Sequence, residues 1–198
     1  MGTLIVENLW KAYSGRAVIK GVNLRLEDGD FVCIYGPNGS GKSTLIHAIA
    51  GLTEYSGRVE VRGKIGVALQ APTMHPRLLL RENLELFSSL LGFRMEEALE
   101  LCKTLGLDGH LEKRFSELSH GNKKKAEILL ALLGEPDIIL MDEPLVSLDY
   151  VSRVALLGLL RRMKGKKTFL VVTHFPELLR GLCDRTFKME DGKLTEIT

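Results

Sequence analysis

The sequence predicts an α/β fold with a largely parallel core sheet. A glycine-rich loop joins the apolar run at residues 31–35 to a helical pattern of apolar residues at 42–50. Further along, apolar runs at residues 138–141 and 168–172 flank a second helical pattern at 151–163. Strands and helices that alternate in this way are typical of parallel sheets covered by helices.

The remaining elements follow from apolar spacing and turn residues. Short alternating or apolar segments predict strands at residues 4–9, 22–26, 59–61 and 65–69. Near residue 81 the composition changes to helix formers, and helices are predicted at 82–91, 95–105 and 122–133. A short helix at 176–182 and a hairpin that turns at Asp191-Gly192 complete the chain. We therefore expect one domain over residues 1–198, with a small helical subdomain at about 81–133.

The composition is that of one ordinary domain with little charge bias. Its 198 residues include 27 Lys plus Arg and 25 Asp plus Glu, which gives a formal net charge of +2. Such a small charge produces no broad cationic field, so nucleic acid is not an expected partner. The longest apolar run, residues 128–133, is far below the roughly 18 residues that a membrane-spanning helix needs. We expect a cytoplasmic protein.

The three cysteines are expected to be buried, reduced thiols. Cys33, Cys102 and Cys183 are an odd number, lack the spacing of metal ligands and lie in apolar stretches. This pattern favours small packed side chains over a redox role.

Residues 36–44 carry the strongest chemical signal. They read GPNGSGKST and fit the phosphate-binding pattern G-x-x-x-x-G-K-[ST], with a predicted strand before the loop and a predicted helix after it. Glycines let backbone N–H groups point at phosphate oxygens, and the helix adds the positive end of its dipole. We expect the loop to bind nucleotide phosphates through Gly36, Pro37, Asn38, Gly39, Ser40, Gly41, Lys42, Ser43 and Thr44.

Two acids follow the buried strand at residues 138–141. Asp142 and Glu143 stand at its carboxyl end, where open α/β sheets bind ligands. Asp142 is suited to hold Mg²⁺ together with the hydroxyl of Ser43, and Glu143 is suited to polarise an attacking water. Considered alone, the pair is more typical of residues that cap the following helix, but the phosphate loop favours the catalytic interpretation.

The interval between Lys42 and Asp142 indicates a larger machine than a compact nucleotide kinase. A minimal strand–helix–strand unit needs only about 30 residues, and this interval is far longer. The helical insert accounts for the extra length.

With these motifs in order, the sequence resembles the nucleotide-binding domain of ATP-binding cassette (ABC) transporters over essentially its whole length. Tyr13 matches the aromatic residue that stacks on adenine, Gln70 the glutamine that contacts Mg²⁺ and the attacking water, and His174 the switch histidine. Residues 147–149, Ser-Leu-Asp, match the D-loop. The resemblance implies a P-loop NTPase fold of ABC type, in which an antiparallel N-terminal β subdomain precedes the core sheet and the helical subdomain is inserted.

The segment Leu118-Ser119-His120-Gly121-Asn122 occupies the place of the family signature L-S-G-G-Q. His120 replaces a glycine and Asn122 a glutamine, whereas Ser119 and Gly121 keep the two groups expected to contact the γ-phosphate of a nucleotide bound to the partner cassette. Both a homodimer and an asymmetric pair with another cassette remain open. The following run of Lys123, Lys124 and Lys125 is expected to be a solvated helix face, with support of bound nucleotide as the alternative.

The resemblance implies an ATP-hydrolysing subunit that energises a membrane transporter through ATP-driven dimer closure. Expected cofactors are ATP and Mg²⁺, and expected partners are a second cassette and separate transmembrane permease subunits, which would hold the protein at the cytoplasmic face of the membrane. The catalytic residues would be Glu143, His174 and Gln70, and the metal-side residues Ser43, Gln70 and Asp142. Two alternatives are a soluble ABC-type ATPase acting on nucleic acid, ribosomes or Fe–S assembly, and a weakly active regulatory half of a cassette heterodimer.

Overall fold

The computed structural model describes residues 2–197, which form strands and helices in the order that the sequence predicts. The strands are β1 (Thr3–Tyr13), β2 (Arg16–Leu26), β3 (Phe31–Tyr35), β4 (Ser56–Arg62), β5 (Ile65–Ala68), β6 (Ile138–Asp142), β7 (Thr168–Thr173), β8 (Arg185–Glu190) and β9 (Lys193–Glu196). The α-helices are α1 (Lys42–Ile49), α2 (Leu80–Leu91), α3 (Met95–Leu105), α4 (His120–Leu132) and α5 (Tyr150–Met163).

The N-terminal strands form a small antiparallel sheet in the order β2-β1-β4. Strands β1 and β2 continue to the Ser14-Gly15 turn, where both residues have positive φ, and are therefore longer than predicted. Their outer halves pair aromatic or apolar residues with charged ones, such as Trp10 with Lys20 and Lys11 with Ile19, so the regular apolar alternation that marks a half-buried strand is missing there.

The core sheet has six strands in the order β5-β6-β7-β3-β8-β9. All neighbouring pairs are parallel except β8 and β9, which form the predicted hairpin at Asp191-Gly192. Because parallel strands end on the same side, the residues that follow β3, β5, β6 and β7 meet at one edge of the sheet. The α/β fold class is confirmed.

Apolar residues pack on both faces of the core sheet. On β3, Phe31 and Cys33 face a cluster that includes α2 to α5, while Val32 and Ile34 face a cluster with α1 and the small sheet. Helix α4 packs on β5 and β6. The helices at 80–132 therefore share a continuous core with the sheet.

Two helix boundaries differ from the sequence prediction. Helix α4 begins at His120, two residues earlier than expected, because the Ser119 side chain caps it by accepting a hydrogen bond from the Asn122 N–H. The helix predicted at 176–182 is wrong in kind: it is a 3₁₀ turn at Pro176–Leu179, and Gly181 with φ of 82° follows it.

The expectation of three reduced thiols is wrong for two of them. Cys33 and Cys183 form a disulfide across a sequence separation of 150 residues, with their Cα atoms 5.7 Å apart. Parallel pairing of β3 with β8 brings together the two segments, a proximity that cysteine spacing does not encode. Cys102 is a free, buried thiol, as expected.

Among residues 2–197, no helix combines the length and the apolar character needed to cross a membrane.

Candidate functional site

The phosphate-loop residues 36–44 connect the end of β3 to the start of α1. Gly41 precedes the helix with φ of 107°, a conformation that favours glycine. A β-carbon at Gly36 would collide with the carbonyl oxygen of Met189, and one at Gly41 would lie 2.8 Å from the Val18 carbonyl oxygen. The loop can therefore follow this tight path only with glycine at both positions.

The side chain of Lys42 lies inside this loop. Its Nζ donates to the carbonyl oxygens of Gly36, at 2.7 Å, and Pro37, at 2.9 Å. Burial lowers the pKa of Lys42, while the nearby charges of Glu143 and Asp142 oppose that shift. The ammonium group thus lies at the centre of the loop, close to both acids.

The acids occupy the predicted sheet edge. Asp142 is the last residue of β6 and pairs with Val172 of β7, and Glu143 follows in a left-handed conformation with φ of 51°. Few residues other than glycine adopt this conformation, and it is common at functional sites. Gln70 follows β5, the neighbour of β6 on the other side, and its Nε2 donates to Asp142 Oδ1 at 3.2 Å.

Asp142 has a free carboxylate oxygen although the side chain is buried. Its Oδ2 has no hydrogen-bond partner among the described residues. Burial raises the pKa of Asp142 more than the nearby Ser43 hydroxyl, Gln70 amide and Lys124 ammonium lower it. A buried, unpartnered carboxylate oxygen beside a hydroxyl fits the donor set that Mg²⁺ prefers. Residues 2–197 contain no group of three or more His, Cys, Asp or Glu side chains that could hold a metal ion by themselves.

The carboxylate of Glu143 is held by the end of β7. Its Oε2 accepts hydrogen bonds from the Thr173 hydroxyl at 3.0 Å and the His174 backbone N–H at 3.3 Å. Its Oε1 lies 2.7 Å from His174 Nδ1, and the carboxylate acceptor assigns the proton to that nitrogen. The resemblance identified His174 as the switch histidine, but it gave no sign of the contact between His174 and Glu143 or of the hydrogen bond from Thr173.

An open cleft of about 550 Å³ joins the predicted residues. It is lined by Tyr13, Val18, Asn38, Gly39, Gly41, Lys42, Ser43, Thr44, Gln70 and Glu143. Tyr13 is 47% exposed, and the Lys11 ammonium lies 4.8 Å from the centre of its ring. The cleft therefore runs from an exposed aromatic ring along the phosphate loop to Gln70 and Glu143.

The signature segment lies apart from this cleft. Neither Ser119 nor Gly121 is among the cleft residues, and His120 lines a neighbouring cavity of about 510 Å³ together with Asn38, Glu143 and His174. A β-carbon at Gly121 would lie 2.7 Å from the carbonyl oxygen of Ser147 in the D-loop. Gly121 is thus required for close packing within this chain, a constraint that the sequence pattern did not reveal.

The expectation of a solvated helix face is wrong for Lys124 and Lys125, whereas Lys123 is half-exposed and donates to the Ser116 carbonyl oxygen. Lys124 donates to two backbone carbonyl oxygens beside the site, and Lys125 is 7% exposed with its Nζ directed at the Gly106 carbonyl oxygen. Burial lowers the pKa of both groups. The residue types alone gave no sign of these contacts, which form because α4 packs against α3, β5 and β6.

Comparisons with known proteins agree on one family. A family model described as ABC transporter matches residues 19–146. The linearmycin resistance ATP-binding protein LnrL of Bacillus subtilis (strain 168) is 31% identical over 212 residues, which cover 98% of this chain and 68% of that protein. The aliphatic sulfonates import ATP-binding protein SsuB of Delftia acidovorans is 33% identical over 200 residues, covering 98% and 83%. A dimeric structure of a post-hydrolysis state of the ATP-binding cassette MJ0796, bound to ADP and Pi, matches with a TM-score of 0.90 at 29% identity and covers 98% of both chains.

Proposed function

This chain belongs to the ABC transporter family, and we propose that it is the ATP-binding and ATP-hydrolysing subunit that energises a membrane transporter. The observation that carries the proposal is the cleft in which the phosphate loop, Gln70 and Glu143 line one cavity beside an exposed tyrosine. Relatives named for linearmycin resistance and aliphatic sulfonates import are ATP-binding proteins, which supports the same activity here.

Nucleotide binding is assigned to the cleft. The exposed ring of Tyr13 provides a face for the adenine base, and the backbone N–H groups of the phosphate loop bind the phosphates. Lys42, already at the centre of the loop, exchanges its contacts with the Gly36 and Pro37 carbonyl oxygens for phosphate oxygens. Binding therefore requires a change of partners for one side chain rather than a new loop path.

Mg²⁺ is assigned to Asp142, the Ser43 hydroxyl and the Gln70 side chain. The free Oδ2 of Asp142 supports this assignment, since a buried carboxylate oxygen without a donor is satisfied by a cation. When bound, the ion would neutralise charge on the phosphate oxygens.

Hydrolysis is assigned to Glu143. Water would attack the γ-phosphorus, the bond to the β–γ bridging oxygen would break, and ADP and phosphate would leave, with a water proton passing to the Glu143 carboxylate. Hydrogen bonds from Thr173 and His174 fix the orientation of that carboxylate. His174 Nε2, the ring nitrogen that does not contact Glu143, is left for the γ-phosphate.

The proposed partners are a second cassette and transmembrane permease subunits, which would keep the protein peripheral at the cytoplasmic face of the membrane. Ser119 and Gly121 lie outside this chain's own cleft, so they are assigned to a nucleotide bound by the partner cassette. The dimeric structure of the similar cassette MJ0796 supports a paired arrangement. Residues 81–133 are proposed as the helical subdomain of this cassette.

The replacement Glu143→Gln tests the proposal. We expect nucleotide binding to persist, ATP turnover to fall to background and an ATP-bound dimer to accumulate, measured by phosphate release and by light scattering. Glu54→Gln makes the same chemical change at an exposed position and should retain wild-type turnover. Near-normal turnover in Glu143→Gln would remove Glu143 from the catalytic role, and a wild-type protein without ATPase activity would contradict the proposed function.

A further inference from the structure

Two charged side chains on α4 hold the loop that carries Gln70 at both of its ends. We propose that Lys124 and Glu127 are positioning residues for ATP hydrolysis, which keep Gln70 on Asp142 and fix the backbone that precedes Glu143. The proposal rests on the proposed function, because it concerns the rate of that reaction. It assigns a purpose to two charges that the nucleotide-binding motifs do not include.

Lys124 connects the two strand ends that deliver Gln70 and Glu143. Its Nζ donates to the carbonyl oxygen of Leu69 at 3.1 Å and to that of Asp142 at 2.6 Å. Leu69 immediately precedes Gln70, and Asp142 immediately precedes Glu143. One ammonium group therefore fixes the peptide unit before each of the two residues that are assigned to the attacking water.

Glu127 holds the other end of the same loop. Its Oε1 accepts hydrogen bonds from the backbone N–H groups of Thr73, at 2.9 Å, and Met74, at 3.1 Å. Its Oε2 accepts from the Thr73 hydroxyl at 2.6 Å. Glu127 is 3% exposed, so these charge-assisted bonds are shielded from water.

The two side chains lie on the same face of α4 because they are three positions apart. Residues 70–72 lie between the two anchored points, and Gln70 reaches Asp142 Oδ1 from there. The opposite charges of Lys124 and Glu127 also offset each other in a poorly solvated region, where Asp142 and Glu143 add further negative charge. Placement of Gln70 relative to Asp142 thus depends on where α4 lies.

Loss of either anchor is expected to affect turnover more than nucleotide binding. Neither side chain donates to the phosphate loop, whose lysine is held by its own carbonyl oxygens. A displacement of about 1 Å in a catalytic group can reduce a rate by about 100-fold. We therefore expect kcat to fall between about 10-fold and 100-fold while KM for ATP changes by less than about 3-fold.

The main test replaces Lys124 with Met, which keeps the length of the side chain and removes its donors. Lys103→Met makes the same change at an exposed position on α3 and serves as the control. Steady-state ATPase kinetics, melting temperature and hydrogen exchange of peptides that cover residues 69–74 are measured for both. For Lys124→Met we expect lower kcat, nearly unchanged KM and faster exchange at 69–74. The melting temperature should fall, because the replacement leaves the nearby carboxylates without a counter-charge, so the kinetics are measured well below it.

The contacts of Glu127 are tested by conservative replacements that are expected to leave the protein folded. Thr73→Val removes only the hydroxyl bond to Oε2 and retains the side-chain shape. Glu127→Gln keeps one carbonyl oxygen for the Thr73 and Met74 amides, so it should retain more turnover than Glu127→Ala. We expect kcat to fall less for Thr73→Val than for Lys124→Met. In the double variant Lys124→Met with Thr73→Val, the reduction of kcat should be smaller than the product of the two single reductions, because both changes act through one loop.

The outcomes separate this proposal from the proposed function. If wild-type protein hydrolyses ATP and Glu143→Gln is inactive, yet Lys124→Met and Thr73→Val both keep wild-type kcat, the positioning proposal is wrong and the function stands. A rise in KM with unchanged kcat in Lys124→Met would also overturn it, since that pattern indicates loss of binding. Lack of ATPase activity in the wild type would contradict the function itself.

Discussion

The Glu143 carboxylate lies 2.7 Å from Nδ1 of His174, and the same carboxylate also accepts hydrogen bonds from the Thr173 hydroxyl and the His174 backbone. These donors come from the end of β7, whereas Glu143 follows β6. The ends of two neighbouring parallel strands are therefore joined through this one carboxylate. His174 Nδ1 therefore orients the proposed base, and Nε2 is left for the proposed contact with the γ-phosphate. The two strand ends therefore act together in the proposed hydrolysis.

The His174 contact can be tested by His174→Ala. Removing the imidazole leaves Glu143 with fewer donors and removes Nε2 from the site, so we expect kcat to fall by about 100-fold or more with retained nucleotide binding. His47→Ala, at a half-buried position on α1 that does not line the cleft, should retain kcat within about 2-fold. Equal kcat in wild type and His174→Ala would show that neither ring nitrogen contributes to turnover.

The Thr173 hydroxyl is expected to stabilise the fold. Thr173 is 2% exposed and donates to the buried Glu143 carboxylate. A hydrogen bond to a charged group contributes about 1.5–3 kcal/mol, so Thr173→Val should lower the free energy of unfolding by about that amount. Urea denaturation measures it. The double replacement Thr173→Val with Glu143→Gln should show a smaller loss than the sum, and strict additivity would mean that the bond contributes little.

Lys42 is expected to control nucleotide affinity. Replacement by alanine removes a charge-assisted contact to phosphate, worth about 1.5–3 kcal/mol, which corresponds to a roughly 10-fold to 100-fold weaker Kd for ATP. Isothermal titration calorimetry with Glu143→Gln as the background avoids turnover during the measurement. Lys166→Ala, an exposed lysine, is the control and should leave the Kd unchanged. Wild-type affinity in Lys42→Ala would contradict the assignment.

Gly36 and Gly109 offer a matched pair of glycine replacements. A β-carbon at Gly36 would collide with the Met189 carbonyl oxygen and reach 3.0 Å from Ser40 Oγ, whereas one at Gly109 would meet no atom within 4 Å. Gly36→Ala should therefore lower stability by about 1–3 kcal/mol or more, and Gly109→Ala should stay within about 0.5 kcal/mol of wild type. Thermal unfolding measures both, and equal effects would mean that the loop can move away from Met189.

The thiol count distinguishes the disulfide from the expectation based on sequence. Protein unfolded in urea without reductant should show one reactive thiol, Cys102, because Cys33 and Cys183 are paired. Prior reduction should raise the count to three, and native protein should show almost none because Cys102 is buried. Three thiols before reduction would mean that Cys33 and Cys183 are not bonded in the purified protein.

Cys102 should also make stability depend on alkaline pH. Burial, and to a smaller extent the charge of Asp108, raises the pKa of Cys102 from 9.0 to about 11. Below pH 9 the Cys102 thiol is protonated in both the folded and the unfolded state. Between pH 9 and pH 11 the thiol ionises in the unfolded chain but stays mostly protonated in the folded protein. Its contribution is therefore complete below pH 9 and falls by at most about 3 kcal/mol towards pH 11. Stability curves of wild type and Cys102→Ala should converge over this range, and parallel curves would contradict the shift.

The sequence by itself determined the parts whose signal is local. The strand, glycine loop and helix around residues 31–50 were predicted with nearly correct bounds, because phosphate binding requires a fixed pattern over consecutive residues. The rule that parallel strands end at one edge placed Asp142 and Glu143 at the end of β6, whereas Gln70 was assigned only by the family resemblance and is brought to Asp142 by the fold. The α/β class follows from the same alternation of strands and helices.

Only the tertiary structure decided which side chains share partners across distant segments. Three features depend on how elements far apart in the chain pack together: the pairing of Glu143 with Thr173 and His174, the disulfide of Cys33 with Cys183, and the burial of Lys125 and Glu127. The lysine run appeared solvated by composition, yet the packing of α4 on β5 and β6 places the Lys124 ammonium beside backbone carbonyl oxygens. Residue type determines which hydrogen bonds are chemically possible, whereas the distances and solvation that decide whether they form arise only when the chain is folded.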